Sequence, residues 1–197
     1  DDMGQSSTFT DDYIVMGPIE EYAIYDVQYT EDPSGDSPLS GYTVTVSGFV
    51  TAIGTSGEGS FFLQDAENAW SGIQIYGDSL VAIGDEVTVT GEITEYYNMT
   101  EMLINGPDSY EIISSGNEGF SPLLLDIPTA FSEAYESVIV RVENTVCTNV
   151  DLGFGEWEIS SGADTGRVDD WFASYIPDIG QCYDVQGLMY YSYGNFK

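Results

Sequence analysis

The feature that most restricts the fold of this chain is the alternation of apolar and polar residues along short segments. It is clearest in IGDEVTVTGEITEYY, residues 83–97, where every second position holds Val87, Val89, Gly91 and Ile93. Successive side chains of a strand point to opposite faces, so this period predicts strands with one buried face. Turns rich in Gly, Asp, Asn and Ser separate such segments, and helical spacing is confined to TAFSEAY, residues 129–135. The sequence therefore predicts an all-β protein.

The first half contains five such segments, which we assign to a barrel spanning residues 23–113. The predicted strands are Tyr42–Ile53, Ser60–Gln64, Gly72–Tyr76, Glu86–Tyr96 and Thr100–Ile104. A long first strand that bends at a glycine, here Gly48, is typical of the five-stranded oligonucleotide-binding (OB) barrel.

The second half repeats this plan over residues 137–197. Its predicted strands are Val138–Thr148, Glu156–Ser160, Gly166–Trp171 and Cys182–Tyr193. The spacing from Gly84 to Gly91 recurs from Gly180 to Gly187. A repeated local pattern indicates two copies of one unit, so we predict two tandem OB-like five-stranded Greek-key barrels. Residues 114–136 form a linker, whose prolines and glycines favour a semi-rigid connection.

The two ends of the sequence do not fit this plan. Residues 1–22 form a strand-like arm, STFTDDYIVMG, with Phe9, Tyr13 and Val15 on one side. The second barrel stops at Lys197, where its fifth strand should begin. Either the protein continues past Lys197, or the arm of a neighbouring molecule adds the strand. In the second case the buried contacts of the arm are Phe9, Tyr13, Ile14, Val15 and Met16, and head-to-tail joining produces a filament.

The charge of the chain excludes several classes of partner. Thirty-four Asp and Glu face three Lys and Arg, with no His, for a net charge of −31. Nucleic acids and anionic membranes both require cations that this chain lacks, so neither is an expected partner. No apolar run is long enough for membrane insertion. The absence of His and of a cysteine cluster argues against zinc or iron. We interpret the acidity as a hydrated surface that is also able to collect divalent cations.

Composition also indicates the compartment. Tyr, Thr, Ser and Gly are abundant, Lys is scarce, and only two Cys are present. We expect a secreted bacterial protein, extracellular or on the cell surface. The sequence starts without a basic and apolar leader, as a processed chain does.

Longer stretches resemble a known family. SPLSGYTVTVSGFVTAI, GSFFLQDAENAWSGIQIYG and VAIGDEVTVTGEITEYYNMTEM resemble the OB-fold accessory domains of secreted Bacteroidetes-type nucleases and surface proteins. YESVIVRVENTVCT, GEWEI and VDDW resemble the second such domain that often follows, so the resemblance covers residues 22–197. In those nucleases cleavage belongs to a separate metal-dependent domain with His and Asp. The resemblance therefore implies accessory domains that carry no catalytic residues.

Residue chemistry also argues against an enzyme. A serine nucleophile needs a base, and neither His nor an interior Lys is present. Among the many carboxylates, the best local pairs are Asp169 with Asp170 and Asp65 with Glu67. We interpret them as acidic loop residues beside a tryptophan.

Three acidic loops are candidate calcium sites, because calcium prefers several oxygen ligands from a flexible loop. Their carboxylates are Asp32, Asp36, Asp65, Glu67, Asp164, Asp169 and Asp170. Exposed aromatic rings are candidate stacking residues for a sugar, namely Trp70, Tyr76 and Trp157. Core packing is the competing interpretation of these rings.

Two further chemical features are predicted. Cys147 and Cys182 fall on neighbouring strands of the second barrel, so we expect a disulfide, with two free thiols as the alternative. NMT at Asn98 and DSL at Ser79 match acceptor patterns for glycosylation and lie in predicted turns.

Taken together, these patterns predict a non-catalytic secreted structural protein, the subunit of an extracellular filament or surface assembly. Its partners are copies of itself, joined by strand addition from the N-terminal arm. The alternative is a calcium- or glycan-binding accessory module of a larger secreted enzyme such as a nuclease.

Overall fold

The computed structural model describes residues 20–54 and 59–197. Strands hold 47% of the residues and helices 9%, which confirms the all-β prediction. All of the predicted arm before residue 20, with Phe9, Tyr13, Ile14, Val15 and Met16, lies outside the described residues. Within the described ranges, no helix has the length and apolar character needed to cross a membrane.

The first unit is formed by strands with two short helices between them. Its strands are β1 Glu21–Tyr22, β2 Thr43–Ile53, β3 Phe61–Gln64, β4 Gly72–Tyr76, β5 Glu86–Tyr96, β6 Met99–Leu103 and β7 Tyr110–Ser114. Its helices are α1 Ile24–Gln28 and the 3₁₀-helix η1 Pro107–Ser109. The five strands predicted from alternation are confirmed to within one residue at each end.

Five of these strands close into a barrel in the order β2–β3–β4–β6–β5 and back to β2. β4 and β6 run parallel, and the other neighbouring pairs are antiparallel. This arrangement is compatible with an OB barrel. β7 pairs with the first half of β5, and β1 pairs with β2, both outside the closure.

The alternating residues of these strands fill the barrel. The buried cluster contains Val44, Val46, Val50, Phe61, Leu63, Ile73, Ile75, Val87, Val89, Ile93 and Met102, together with Ile24 and Val27 of α1. At Gly48 a Cβ atom would lie 2.9 Å from the carbonyl oxygen of Gln64. β2 and β3 therefore approach this closely only because residue 48 has no side chain.

The second unit is an open half-barrel. Its strands are β8 Leu123–Leu124, β9 Ile139–Gly153, β10 Glu156–Ser161, β11 Asp164–Val168, β12 Cys182–Leu188, β13 Tyr191–Ser192 and β14 Asn195–Phe196. The sheet order is β11–β10–β9–β12, with β8 parallel to β9, while β13 and β14 form a separate hairpin. A second buried cluster lies on its inner face and includes Val140, Val142, Trp157, Ile159 and Met189.

The described residues of this unit therefore form a half-barrel, and the tandem pair of OB-like barrels is not confirmed. The sequence predicts a second barrel that lacks its last strand. No described strand joins β11 to β12, so the sheet does not close. β11 begins and ends earlier than predicted because the turn at Gly162 and Ala163 pairs Ser161 directly with Asp164. The predicted strand Cys182–Tyr193 is interrupted after Leu188.

The linker contains two short helices where one was predicted over residues 129–135. They are α2 Ile127–Ala130 and the 3₁₀-helix η2 Glu133–Tyr135. Asp126 caps α2 by accepting a hydrogen bond from the Thr129 amide at 3.0 Å. Phe131, with φ −88° and ψ 57°, leaves the helical region and separates the two helices.

The linker and the start of β9 are held against the first unit by hydrogen bonds. The Trp70 amide donates to the Ala134 carbonyl at 2.6 Å, and the Ile139 amide donates to Gln64 Oε1 at 3.1 Å. At Gly72 a Cβ atom would lie 2.2 Å from the Ser137 carbonyl oxygen, so the backbones are in close contact there. We call this contact region between the two units the junction.

Candidate functional site

An opening of about 510 Å³ lies between β11 and β12, and we call it the groove. Inward-facing residues of the half-barrel line its floor, including Val140, Val142 and Trp157. One wall is formed by β12, and the other by the end of β11 and residues 169–175. Among the described strands, β12 is hydrogen-bonded only to β9 and β11 only to β10. The strand edges that face the groove are thus open.

Basic residues are concentrated around this unit. Arg167 and Lys197 line the groove and both bind Glu156 on β10, with an Arg167 Nη1 to Glu156 Oε2 distance of 2.5 Å. Lys197 also binds Asp169 at 2.7 Å. Arg141 lies on β9 and binds Glu143 and Asp184. All three basic residues of the chain therefore follow residue 140, a bias that sequence reasoning overlooked although the sequence contains it.

The Glu156 carboxylate is the centre of this ion-pair network and is 7% exposed. Burial by itself raises its pKa, but hydrogen bonds from Lys197 and Arg167 outweigh burial and hold the pKa below the usual value. Burial lowers the pKa of Lys197, and its hydrogen bonds to Asp169 and Glu156 raise it above the usual value. The network ties the end of the β13–β14 hairpin to the half-barrel.

The face of the first unit that binds ligands in OB barrels is covered. That face is formed by the second and third barrel strands, here β3 and β4. Phe61 points into the barrel, whereas Phe62 points outward and is nevertheless fully buried. Its ring makes edge contacts at 6.0 to 6.2 Å with Trp171, Phe172 and Tyr190. The aromatic surface at Phe62 is therefore occupied by the second unit.

The three predicted stacking residues lie in different surroundings. Trp70 is half-buried at the junction, with φ 63°, and packs edge-on against Tyr29. Tyr76 is partly exposed at the end of β4. Trp157 is 4% exposed on the floor of the groove. Only Trp157 belongs to the groove, and it is the most buried of the three.

Four of the predicted calcium ligands each have a hydrogen-bond or ion-pair partner elsewhere in the protein. Asp32 accepts from the Ser34 amide, which lowers its pKa, and Asp65 accepts from the Ile24 amide at 2.9 Å. Glu67 accepts from the Ser121 amide at 2.8 Å, and Asp169 binds Lys197.

The remaining predicted ligands, Asp36, Asp164 and Asp170, lie in the loop before Ser37, in β11 and in the segment after β11. Over residues 20–54 and 59–197, no group of three or more His, Cys, Asp or Glu is arranged to hold a metal ion. Calcium binding stays a prediction.

The predicted disulfide is not formed: Cys147 is a buried free thiol and Cys182 an exposed one. The predicted neighbourhood of their strands is confirmed, because Cys182 pairs with Val146. Since successive residues of a strand face opposite sides, Cys147 points into the core while Cys182 points away from it. The sequence predicted that the two strands are neighbours, but not that the two cysteines lie on opposite faces of the sheet.

The predicted glycosylation residues lie between strands, Asn98 in a turn and Ser79 in the loop after β4. Asn98 is exposed in the β5–β6 turn with φ 68°, and Ser79 is half-buried and donates to the Gly59 carbonyl at 3.2 Å.

A group of carboxylates at the junction was not predicted. Glu95 of β5 and Glu101 of β6 lie beside Glu133 and Glu136 of the linker. Burial raises the pKa of Glu101 to about 7 and, with the charges of Glu95 and Asp36, that of Glu133 to about 7. No sequence pattern connects these residues, because three separate segments contribute them.

Comparison with known proteins does not place this chain in a family. No protein-family model matches the sequence, and no curated protein matches it significantly. Function must therefore be argued from the molecule itself.

Proposed function

We propose that this protein is a secreted, non-catalytic structural protein whose copies join by strand addition from the N-terminal arm. On this proposal its two units are OB-like, and the second unit receives the added strand in the groove. The observation that carries the proposal is the pair of open strand edges on either side of the groove.

Strand addition suits this site chemically. An open edge presents backbone N–H and C=O groups that pair readily with another extended segment. Apolar residues such as Val142 and Trp157 lie between the two edges. In the arm, Phe9, Tyr13 and Val15 alternate with other residues, so an extended arm would present all three to that apolar floor.

The positions of arm and groove determine the kind of assembly. The arm precedes the first unit, and the groove belongs to the second. A copy that donates its arm to a neighbour keeps its own groove free for a third copy. Head-to-tail contacts form a ring only if the rotation from one copy to the next closes a full turn. Otherwise they form an open chain, so a filament is the expected product.

Deletion of residues 1–16 tests the proposal. We expect the intact chain to assemble and the deleted chain to remain a folded monomer, as measured by light scattering after size-exclusion chromatography and by electron microscopy. A full-length variant with Phe9, Tyr13 and Val15 changed to Ser should behave like the deletion. The matched control changes Thr8 and Thr10 to Ser and should assemble normally. Assemblies that persist on micrographs of the deleted chain would refute the proposal.

A second candidate function is glycan binding by an accessory module, favoured by the aromatic lining of the groove. Trp171, Tyr175 and Tyr183 line it together with polar Asp169 and Gln186. Sugar rings stack on aromatic faces and need no cation. Calorimetric titration of the arm-deleted protein with neutral oligosaccharides tests this candidate, and binding there without any assembly of the intact chain would favour it.

Calcium binding by the accessory module is tested separately. A melting temperature that does not change in millimolar calcium would dismiss a structural calcium ion.

A further inference from the structure

We infer that the added strand, residues 8–16 of a second copy, lies between β11 and β12 and runs antiparallel to β12, with its backbone passing over Gly187. This inference rests on the proposed function and specifies its contact surface. In the first unit, β6 and β7 already fill the corresponding edge of β5.

The two units correspond closely around the groove. Gly91 of β5 pairs with Val44 of β2, and Gly187 of β12 pairs with Val140 of β9. Both valines are buried in their cores. The hairpin pairing beyond each glycine also agrees. Three positions after Gly91, Thr94 pairs with Glu101. Three positions after Gly187, Tyr190 and Lys197 exchange backbone hydrogen bonds of 2.9 and 2.8 Å. β12 is therefore the counterpart of β5.

The first unit also indicates the direction of the added strand. One edge of β5 holds β6 along residues 92–96 and β7 along residues 86–89, and both are antiparallel to it. Within residues 20–54 and 59–197, the backbone hydrogen bonds at the same edge of β12 are those between Tyr190 and Lys197, beyond the end of the strand. An antiparallel partner along Cys182–Leu188 would repeat the arrangement of the first unit.

The two glycines differ in what surrounds them. A Cβ atom on Gly91 would lie 2.4 Å from the Leu103 carbonyl oxygen, so β6 passes this close only because residue 91 lacks a side chain. A Cβ atom on Gly187 would have no atom of the described residues within 4 Å. The described fold gives Gly187 no steric reason to be glycine, whereas a strand seated as β6 is would supply that reason.

The groove is a place where an acidic arm meets no net repulsion. In a chain of net charge −31, the groove lining balances Arg167 and Lys197 with Asp169 and Asp184. The arm contains Asp11 and Asp12 between its apolar residues Phe9 and Tyr13. Nineteen residues precede the described part of the chain, a length sufficient for an eight- or nine-residue strand and a connection.

Gly187→Val tests the position. Because the side chain would enter open space, we expect an unchanged melting temperature and a complete loss of assembly. If the valine variant does not fold, Gly187→Ala replaces it in the same test. Gly119→Val is the control, because a Cβ atom on residue 119 would also have no described atom within 4 Å. Filaments formed by folded Gly187→Val protein would overturn the inference. If those filaments still disappear on arm deletion, strand addition itself would stand and only its position would be wrong.

The exposed thiol of Cys182, at the start of β12, tests the direction. Antiparallel seating places the C-terminal end of the arm strand near Cys182. In an extended strand Thr8 and Met16 would point away from Phe9, Tyr13 and Val15 and lie on the outward side with Cys182. In this seating Met16 is not one of the buried contacts of the arm. Under mild oxidation we expect Met16→Cys, but not Thr8→Cys, to form disulfide-linked dimers and longer chains. The reverse result, or a link within one copy, would overturn the inference.

Discussion

The residue that departs most from ordinary surface chemistry is Glu136, which is 2% exposed at the junction. Its Oε1 atom accepts a hydrogen bond from the Thr100 amide at 3.0 Å, while its Oε2 atom has no hydrogen-bond partner among the described residues. Burial, followed by the charges of Glu133 and Glu95, raises its pKa well above the usual value. All three basic residues of the chain are engaged in ion pairs elsewhere.

This arrangement predicts that the junction loses stability as the pH rises. A carboxyl whose pKa is raised by folding contributes stability that is complete below its unfolded value of 4.5 and is lost as pH rises through the folded value. For Glu101 and Glu133 that folded value is about 7, and Glu136 shifts in the same direction. Tyr190 faces the same carboxylates, and burial and their charges raise its pKa to about 12. We therefore expect a higher melting temperature at pH 5 than at pH 8.

Glu136→Gln isolates this effect because it removes the charge and keeps the shape. We expect the variant to gain about 1–3 kcal/mol at pH 8, the range for relieving an unsatisfied buried polar group, and to gain little at pH 5. Glu111→Gln is the matched control, since it removes the same charge from an exposed position on β7. An unchanged pH dependence of the melting temperature in Glu136→Gln would contradict this interpretation.

At the scale of elements, β10 stabilises the half-barrel in two ways, by core packing and by ion pairs. Trp157 and Ile159 are buried in the core, and Glu156 binds Lys197 and Arg167. The sequence predicted a strand over residues 156–160, and it left open whether Trp157 stacks on a sugar or packs in the core. It did not predict the ion-pair network, because Lys197 and Arg167 reach Glu156 from other segments of the chain.

Glu156→Gln is predicted to destabilise the second unit by about 1.5–3 kcal/mol at pH 7, because it removes the charged acceptor shared by Arg167 and Lys197, while Asp169 remains bound to Lys197. The pKa of Glu156 is lowered by folding, so its stabilisation is present above the unfolded value of 4.5 and fades as pH falls below it. The difference from wild type in urea unfolding should accordingly shrink at pH 3. Glu158→Gln, two residues along the same strand and half-exposed, is the control and should change stability by less than about 0.5 kcal/mol.

For the whole molecule, the junction packs the two units against each other. Phe62 connects the outside of the first barrel to Trp171, Phe172 and Tyr190 of the second unit. Gln64 and Glu136 add hydrogen bonds across the same surface. We expect the two units to unfold together, since each covers apolar surface of the other.

Phe62→Ala should separate the two unfolding events while leaving the first barrel intact. We expect two transitions in differential scanning calorimetry, where the wild type has one. Phe61→Ala is the matched control: its ring lies inside the barrel, so it should lower the stability of the first unit by about 3–5 kcal/mol. A single transition in Phe62→Ala would mean that the ring contacts do not couple the units.

Sequence alone determined what depends on neighbouring residues. Alternation located the strands of the first barrel to within one residue, and it required Phe61 and Phe62 to face opposite sides. The repeated glycine spacing predicted a strand at β12 with the spacing of β5, and the structure has a strand there. These features are local, because the period of two is a property of each strand by itself.

Only the tertiary structure decided which surfaces meet. It covered Phe62 with the second unit and gathered Glu95, Glu101, Glu133 and Glu136 from three segments. It also left one edge of β11 and one of β12 without a partner among the described strands. It also turned Cys147 and Cys182 to opposite faces. Such outcomes depend on strand register and on contacts between residues far apart in sequence, and alternation within one segment carries no information about either.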